Sequence, residues 1–229
     1  MQNINGNILF LGDENSPLLE WLKSIGESVI QTSEKLTVEY IHNNNIEFLV
    51  SYGYRHILKK DVLELFPNKA INLHISYLPW NKGADPNFWS LIKDTPKGVT
   101  IHYLDEGIDT GDIIIQKIVE FDYSKDTLST SYEKLQKEIQ NIFRQNWIEI
   151  KRGTCQRQKQ VGDGSTQKVK DKESLLNILT DGWNTPIANL VEYSVEMQMS
   201  KQFWDKYNTE IDEIREKNNK ETLSKNEPA

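Results

Sequence analysis

The chain has 229 residues, enough for one substantial core and a smaller appendage. Lys and Arg number 27 against 34 Asp and Glu, a net charge of −7, which disfavours a generic nucleic-acid binder whose affinity comes from cations at phosphates. A single cysteine, Cys155, excludes an intrachain disulfide framework and a cysteine-based zinc cluster, and no apolar run reaches the roughly 20 residues that span a bilayer.

The N-terminus lacks a signal peptide's basic start and apolar core, so a soluble cytoplasmic protein is expected. Residues 7–11 (NILFL) are an apolar run of buried-strand type. Gly12-Asp13-Glu14-Asn15 is turn chemistry without the glycine-rich dinucleotide fingerprint, so a Rossmann-like order does not imply NAD. Ser16 and Pro17 supply an N-cap and a proline at the first helical position, and Leu18, Leu19, Leu22 and Ile25 fit one helical face before Gly26. Strands are expected at 28–31, 47–51, 70–74, 98–104 and 113–121, with helices at 60–66 and 86–93. This alternation predicts an α/β fold, Rossmann-like, with a mostly parallel sheet.

From Leu128 the period changes. Leu128, Tyr132, Leu135, Ile139, Ile142, Phe143, Trp147 and Ile150 recur at steps of three and four, which predicts one long amphipathic helix docked on the sheet. Lys151-Arg152-Gly153 closes it. Residues 154–160 and 165–169 flank Val161-Gly162-Asp163-Gly164 and read as a small polar hairpin. A short helix is expected from 174 to 179, mixed and largely helical structure from 185 to 216, and disorder in the charged stretch that ends the chain. The expected division is a core at 1–152, a hairpin-and-helix appendage at 153–216 and a disordered tail at 217–229.

The chemistry concentrates between residues 71 and 113. Asn72 and His74 sit two apart on a strand, so period two puts both on one face. The strand then enters a Pro-Trp-Asn-Lys-Gly turn, placing the pair at its carboxyl end, where open α/β sheets bind ligands. Asp105, Glu106, Asp109 and Asp112 crowd a glycine-punctuated loop after another strand, and a carboxylate from that loop can reach the pair. An amide nitrogen and an imidazole N–H can donate to an oxygen that becomes negative in a tetrahedral intermediate. A nearby carboxylate can hold the imidazole's tautomer and take a proton from an attacking amine. An activated acyl donor then needs no serine or cysteine nucleophile. Taken singly, each of these residues is more often structural; the constellation carries the reading. His102, between Thr100 and Leu104, is read as structural, and His42 and His56 have no partner that the sequence names.

The segment resembles the catalytic core of the folate-dependent formyltransferases, which include methionyl-tRNA formyltransferase, glycinamide ribonucleotide transformylase and the sugar-nucleotide N-formyltransferases. The family pattern Asn-x-His-x-Ser-x-Leu-Pro is present as Asn72-Leu73-His74-Ile75-Ser76-Tyr77-Leu78-Pro79. Gly98-Val99-Thr100 and Asp105-Glu106-Gly107-Ile108-Asp109-Thr110-Gly111-Asp112 follow in order and at the family's spacing. By that resemblance Asn72, His74 and Asp109 are the catalytic trio: the first two polarise the formyl oxygen, and Asp109 orients His74 and assists loss of the amine proton. The implied donor is N10-formyltetrahydrofolate, without a metal, its pterin held near Tyr52, Gly53, Tyr54, Arg55, Asp105 and Gly107.

The run from Pro79 to Ser90, with its Pro-Trp-Asn-Lys-Gly and Pro-Asn-Phe-Trp elements, is most similar to the sugar-nucleotide branch. The resemblance implies formylation of a dTDP-linked amino-dideoxy sugar, foremost dTDP-4-amino-4,6-dideoxyglucose, for O-antigen synthesis by a homodimer, with no nucleic-acid or membrane partner. The tRNA-modifying members carry a larger C-terminal barrel that the residues after this core cannot supply. Tyr77, Trp80, Asn81, Lys82 and Gly83 are the expected acceptor contacts; Arg157, Lys159 and Lys168 are further candidate cations and Trp183 a further stacking surface. Family members often carry arginine where this chain has Lys82. The competing readings are a formyltetrahydrofolate hydrolase, a glycinamide ribonucleotide transformylase and a non-catalytic folate or nucleotide module.

Overall fold

A computed structural model describes residues 6–196 and, beyond them, 209, 211 and 213; for 194–196 it describes backbone alone. The tail expected to be disordered, 217–229, lies outside the described residues. Six strands form one sheet: β1 (Asn7–Gly12), β2 (Val29–Thr32), β3 (Ile46–Tyr52), β4 (Ala70–His74), β6 (Gly98–Tyr103) and β7 (Ile113–Ile118). Their order is β2-β1-β3-β4-β6-β7. The pairs β1–β2, β1–β3 and β3–β4 are parallel, while β6 runs antiparallel to both of its neighbours. A second, two-stranded ladder joins β5 (Lys82–Gly83) to β8 (Thr166–Gln167) in parallel. The expected mostly parallel sheet is therefore observed, with one reversed strand beside the functional one.

Helices cover both faces because the strands alternate. Ile8 and Phe10 of β1 pack with α1 (Pro17–Ser24) and α5 (Leu128–Arg152), whereas Leu9 and Leu11 pack with α2 (Val38–Asn43) and α3 (Lys60–Leu63). The sequence signals that start and stop these helices are used: Ser16 Oγ accepts from the Leu18 N–H at 3.4 Å, with Pro17 next. Thr127 and Thr130 cap each other at the start of α5, and Gly153 ends it at φ +67°. The α2 turn was not expected; at six residues it is too short to display a 3.6-residue period, although Thr37 caps it by accepting from the Tyr40 N–H at 3.1 Å. Among the described residues no helix is long and apolar enough to cross a membrane.

The expected hairpin does not form between 154–160 and 165–169. Gln158 instead exchanges two backbone hydrogen bonds with Ile113, at 2.7 and 3.0 Å, and β8 pairs with β5. Each arm finds a stronger template in the core than in the other: an exposed sheet edge at β7 and an unpaired loop after β4. The rest of the segment is two 3₁₀ stretches, Val169–Ile178 and Gly182–Asn184, followed by α6 (Ile187–Glu196). Ile187 and Leu190 of α6 pack on Phe88, Trp89, Leu91 and Ile92 of α4 (Pro86–Ile92).

Trp147 anchors α5 to the sheet. It is 1% exposed, lies edge-on to Phe48 with ring centroids 5.4 Å apart, and donates its Nε1–H to Glu27 Oε1 at 2.8 Å. Trp147→Ala leaves a cavity in the core and takes one of its two partners from Glu27, which keeps its ion pair with Lys151, so the expected loss is about 3–5 kcal/mol in urea-unfolding free energy. A loss under about 1 kcal/mol would contradict this placement.

Candidate active site

On β4, Ile71 and Leu73 face the α5-side core, which turns Ala70, Asn72 and His74 to the opposite face. Because β6 is antiparallel to β4, Asn72 stands opposite His102 and His74 opposite Thr100. Directly opposed residues share a face, so His102 joins the polar pair. Asp109 arrives from the loop after β6. Its backbone sits at φ +53°, a left-handed conformation that Asp tolerates better than most residues. Gly111 lets that loop fold against β6: a Cβ there would lie 1.8 Å from the Tyr103 carbonyl oxygen.

The Asp109 carboxylate is the hub, with its side chain 12% exposed. Asn72 Nδ2 donates to Oδ1 at 3.0 Å, and the Gly83 N–H donates to Oδ2 at 2.8 Å. His102 Nε2 lies 3.3 Å from Oδ1 and His74 Nδ1 lies 3.6 Å from Oδ2. Burial alone would push this carboxyl up, but His74, His102 and the Gly83 N–H outweigh it and hold it well below the usual carboxylate range.

The tautomers follow from the remaining contacts. His102 Nδ1 donates to the Tyr103 carbonyl at 2.8 Å. Its Nε2 therefore accepts from the Asn72 amide, 3.2 Å away, when the ring is neutral, and donates to Asp109 when it is protonated. His74 Nε2 donates to the Asn81 carbonyl at 3.0 Å, leaving Nδ1 towards Asp109. The cluster can hold a proton on either ring next to a fixed negative charge.

The cluster opens on a cleft of about 750 Å³, within the usual range for small-ligand sites. Asn72, His74, Asp109, Tyr52, Gly53, Tyr54, Arg55, Asp105, Gly107 and Gly83, all singled out in the sequence, line it. Trp183 lines it too, 56% exposed and edge-on to Tyr132 at 6.0 Å. Tyr77, Trp80, Asn81 and Lys82 are not in its wall. Tyr77 is 9% exposed and packs against Gly98, and Lys82 lies in the β5–β8 ladder. Asn81 is fully buried, its amide donating to Thr95 Oγ1 at 2.6 Å, so it positions His74 through its carbonyl and offers no surface to a ligand. Arg157 and Lys159 sit on Asp112, at 2.7 and 2.8 Å, and Lys168 is outside the wall. Arg55 and Lys172 supply the cleft's positive charge, Lys172 paired to Asp85 at 2.6 Å.

Sequence reasoning missed His102, Lys172 and Gln136. The signal for His102 was available only once β4 and β6 were known to be antiparallel neighbours in that register; the other two come from segments distant in sequence. Among the described residues no group of three or more His, Cys, Asp or Glu is arranged to hold a metal ion.

The formyl transferase family model matches residues 21–146. A methionyl-tRNA formyltransferase from Halothermothrix orenii is 35% identical over 180 residues, covering 77% of this chain and 57% of the relative; the chain thus spans little more than half of that protein. The formyltransferase PseJ from Anoxybacillus kamchatkensis, solved with UDP-4,6-dideoxy-4-formamido-L-AltNAc and tetrahydrofolate, is 49% identical with a TM-score of 0.78, covering 82% of this chain and all of that one. A sugar 3N-formyl transferase, WlaRD, solved with dTDP and 5-N-formyl-THF, has a TM-score of 0.63, covering 82% of this chain and 79% of its own, but at 22% identity it shows the fold alone. A cleft built on a buried Asn-His-Asp cluster, in a chain whose family match spans 126 residues from 21 to 146, leaves one conclusion: the chain belongs to the formyl transferase family.

Proposed function

We propose that this chain transfers the formyl group of N10-formyltetrahydrofolate to the 4-amino group of a nucleotide-linked 4-amino-4,6-dideoxy sugar. The observation that carries the reading is the Asn72–His74–Asp109 cluster at the cleft, in a chain 49% identical to the whole of a formyltransferase solved with such a 4-formamido sugar. That relative's ligand carries UDP, which favours uridine over the thymidine expected from sequence; the dTDP-bound likenesses are only 22% and 23% identical.

In the reaction the amine nitrogen attacks the formyl carbon, the oxygen takes the negative charge, and the bond to N10 breaks as N10 gains a proton. The Asn72 amide and the His74 ring are assigned as donors to the developing oxyanion, which draws them from their resting contacts to Asp109, His102 and the Asn81 carbonyl, and Asp109 with its histidines receives the amine proton. The donor's flat ring system fits the wall between Tyr54, Ile57, Leu58, Leu104 and Ile108, where Gly53 and Gly107 expose backbone. Arg55, Lys172 and Trp183 remain for the charged and aromatic parts of the two substrates.

Three outcomes are expected. Incubation with N10-formyltetrahydrofolate and a UDP- or dTDP-linked 4-amino-4,6-dideoxy sugar should add one formyl mass to the sugar nucleotide, fastest with UDP. Formate release without an acceptor would make the chain a hydrolase, and formylation only of glycinamide ribonucleotide or charged initiator tRNA would assign it to those branches. His74→Ala or Asp109→Asn should lower kcat by at least about 10²-fold with folate affinity nearly unchanged; near-normal turnover in either would remove the assigned roles.

The third concerns acid. Because the Asp109 carboxyl is held low when folded, its contribution to stability is fully present above the unfolded carboxylate value of about 3.9 and is lost as pH falls towards the folded value. The stability difference between the wild type and Asp109→Asn should therefore shrink below about pH 4, as measured by denaturant unfolding. A difference that stays constant from pH 7 to pH 3 would show that the carboxylate is not so coupled.

A further inference from the structure

Residues 157–167, in the segment after α5, touch both halves of the cluster without lining the cleft. Gln158 extends β7's edge by its two hydrogen bonds to Ile113, and Arg157 and Lys159 flank it on Asp112. One residue on, Gln160 Nε2 donates to the carbonyl of Asp109 at 2.8 Å and to that of Gly111 at 2.9 Å. Its two hydrogens are thereby both used, one on each side of the left-handed turn that presents Asp109. Gln160 Oε1 is buried without a hydrogen-bond partner among the described residues. Turning the amide over would set that oxygen against two carbonyls, so the orientation is fixed by what Nε2 holds.

Five residues further the same segment seizes the other half. The Ser165 N–H donates to the Pro79 carbonyl at 3.1 Å, the Lys82 N–H to the Ser165 carbonyl at 2.8 Å, and the Asn81 N–H to Ser165 Oγ at 2.9 Å. Those bonds place the Asn81 carbonyl on His74 and the Gly83 N–H on Asp109. Gly83 itself sits at φ +87°, with no room for a Cβ beside the Gln167 carbonyl.

We propose that residues 157–167 are a clasp for the catalytic cluster and that Gln160 is a positioning residue, fixing the Asp109 turn so that one carboxylate reaches Asn72, His102, His74 and Gly83 together. This rests on the reading of the cluster as catalytic. The titratable groups facing Asp109 are His74 from β4 and His102 from β6; its other partners, the Gly83 N–H and the Gln160 and Asn72 amides, do not titrate.

Gln160→Met keeps the length and removes the donor. The expected result is a fall in kcat of about tenfold or more with KM for both substrates within about threefold, as for a slightly misplaced catalytic group. The acid limb of kcat/KM should move to higher pH, since a displaced turn carries the Asp109 carboxylate away from His74, His102 and the Gly83 N–H, the groups that hold it ionised. A readout independent of turnover is ¹⁵N NMR of the ring nitrogens: the His74 and His102 signals should shift while that of exposed His42 stays. Should Gln160→Met not fold, Gln160→Glu, of the same shape but with an acceptor against both carbonyls, carries the same test at pH 7. Unmoved His74 and His102 signals, or a lower kcat with the acid limb in place, would overturn the proposal. A wild type that transfers no formyl group would instead refute the functional reading, and the histidine signals would still decide whether the clasp sets the cluster.

Discussion

The buried carboxylate of Asp109 is the constraint on which the rest of the site depends. An ionised carboxylate removed from water costs several kcal/mol unless it is paired and hydrogen-bonded. Here four neighbours from three separate stretches meet it: Asn72 and His74 from β4, His102 from β6 and the Gly83 N–H from β5. None of these stretches can shift without leaving part of the charge unpaired. The cluster is therefore a specification for how β4, β6 and the 79–84 loop lie together, as well as a set of reactive groups.

The fold meets that specification through two features of the sheet. Alternation along β4 sends Ile71 and Leu73 into one core and Asn72 and His74 to the other face, so packing and chemistry use different residues of one strand. The reversal of β6 then brings His102 opposite Asn72, which a parallel neighbour in another register would not do. Loop geometry completes the site: Asp109 in a left-handed conformation, Gly111 pressed against β6, and Gly83 held against β8. The neighbouring Asp112 is drawn low as well: burial opposes, but Lys159 and Arg157 prevail. It is engaged on the outer side of the loop, so two carboxylates three residues apart serve different purposes, one tying down the segment after α5 and the other facing the reaction.

Most of the core was legible because its signals are local. Strand-length apolar runs, the Ser16-Pro17 start of α1 and the three-and-four spacing that ends at Gly153 each fix an element from a few neighbouring residues. Asn72, His74 and Asp109 were legible as a motif, and period two on β4 gave two of them a common face. What failed was tertiary pairing. Residues 154–169 carry a turn signal that suits a hairpin, yet the edge of β7 and the loop after β4 are better partners. His102 looked structural because nothing local shows that it faces Asn72. Asn81 looked like a ligand contact, but its amide is consumed by Thr95 and only its carbonyl reaches the cluster. Tyr132 kept the helical period of α5 yet is 39% exposed and faces the cleft, edge-on to Trp183.

The central claim is that Asp109 and its histidines act as one unit. A double-mutant cycle on kcat for formyl transfer, using Asp109→Asn, His102→Gln and the pair, tests it directly. If the groups form one unit, the double variant should be about as slow as Asp109→Asn alone, because the second substitution removes an interaction already lost. Losses that simply multiply would show that Asp109 and His102 act independently and would contradict the account.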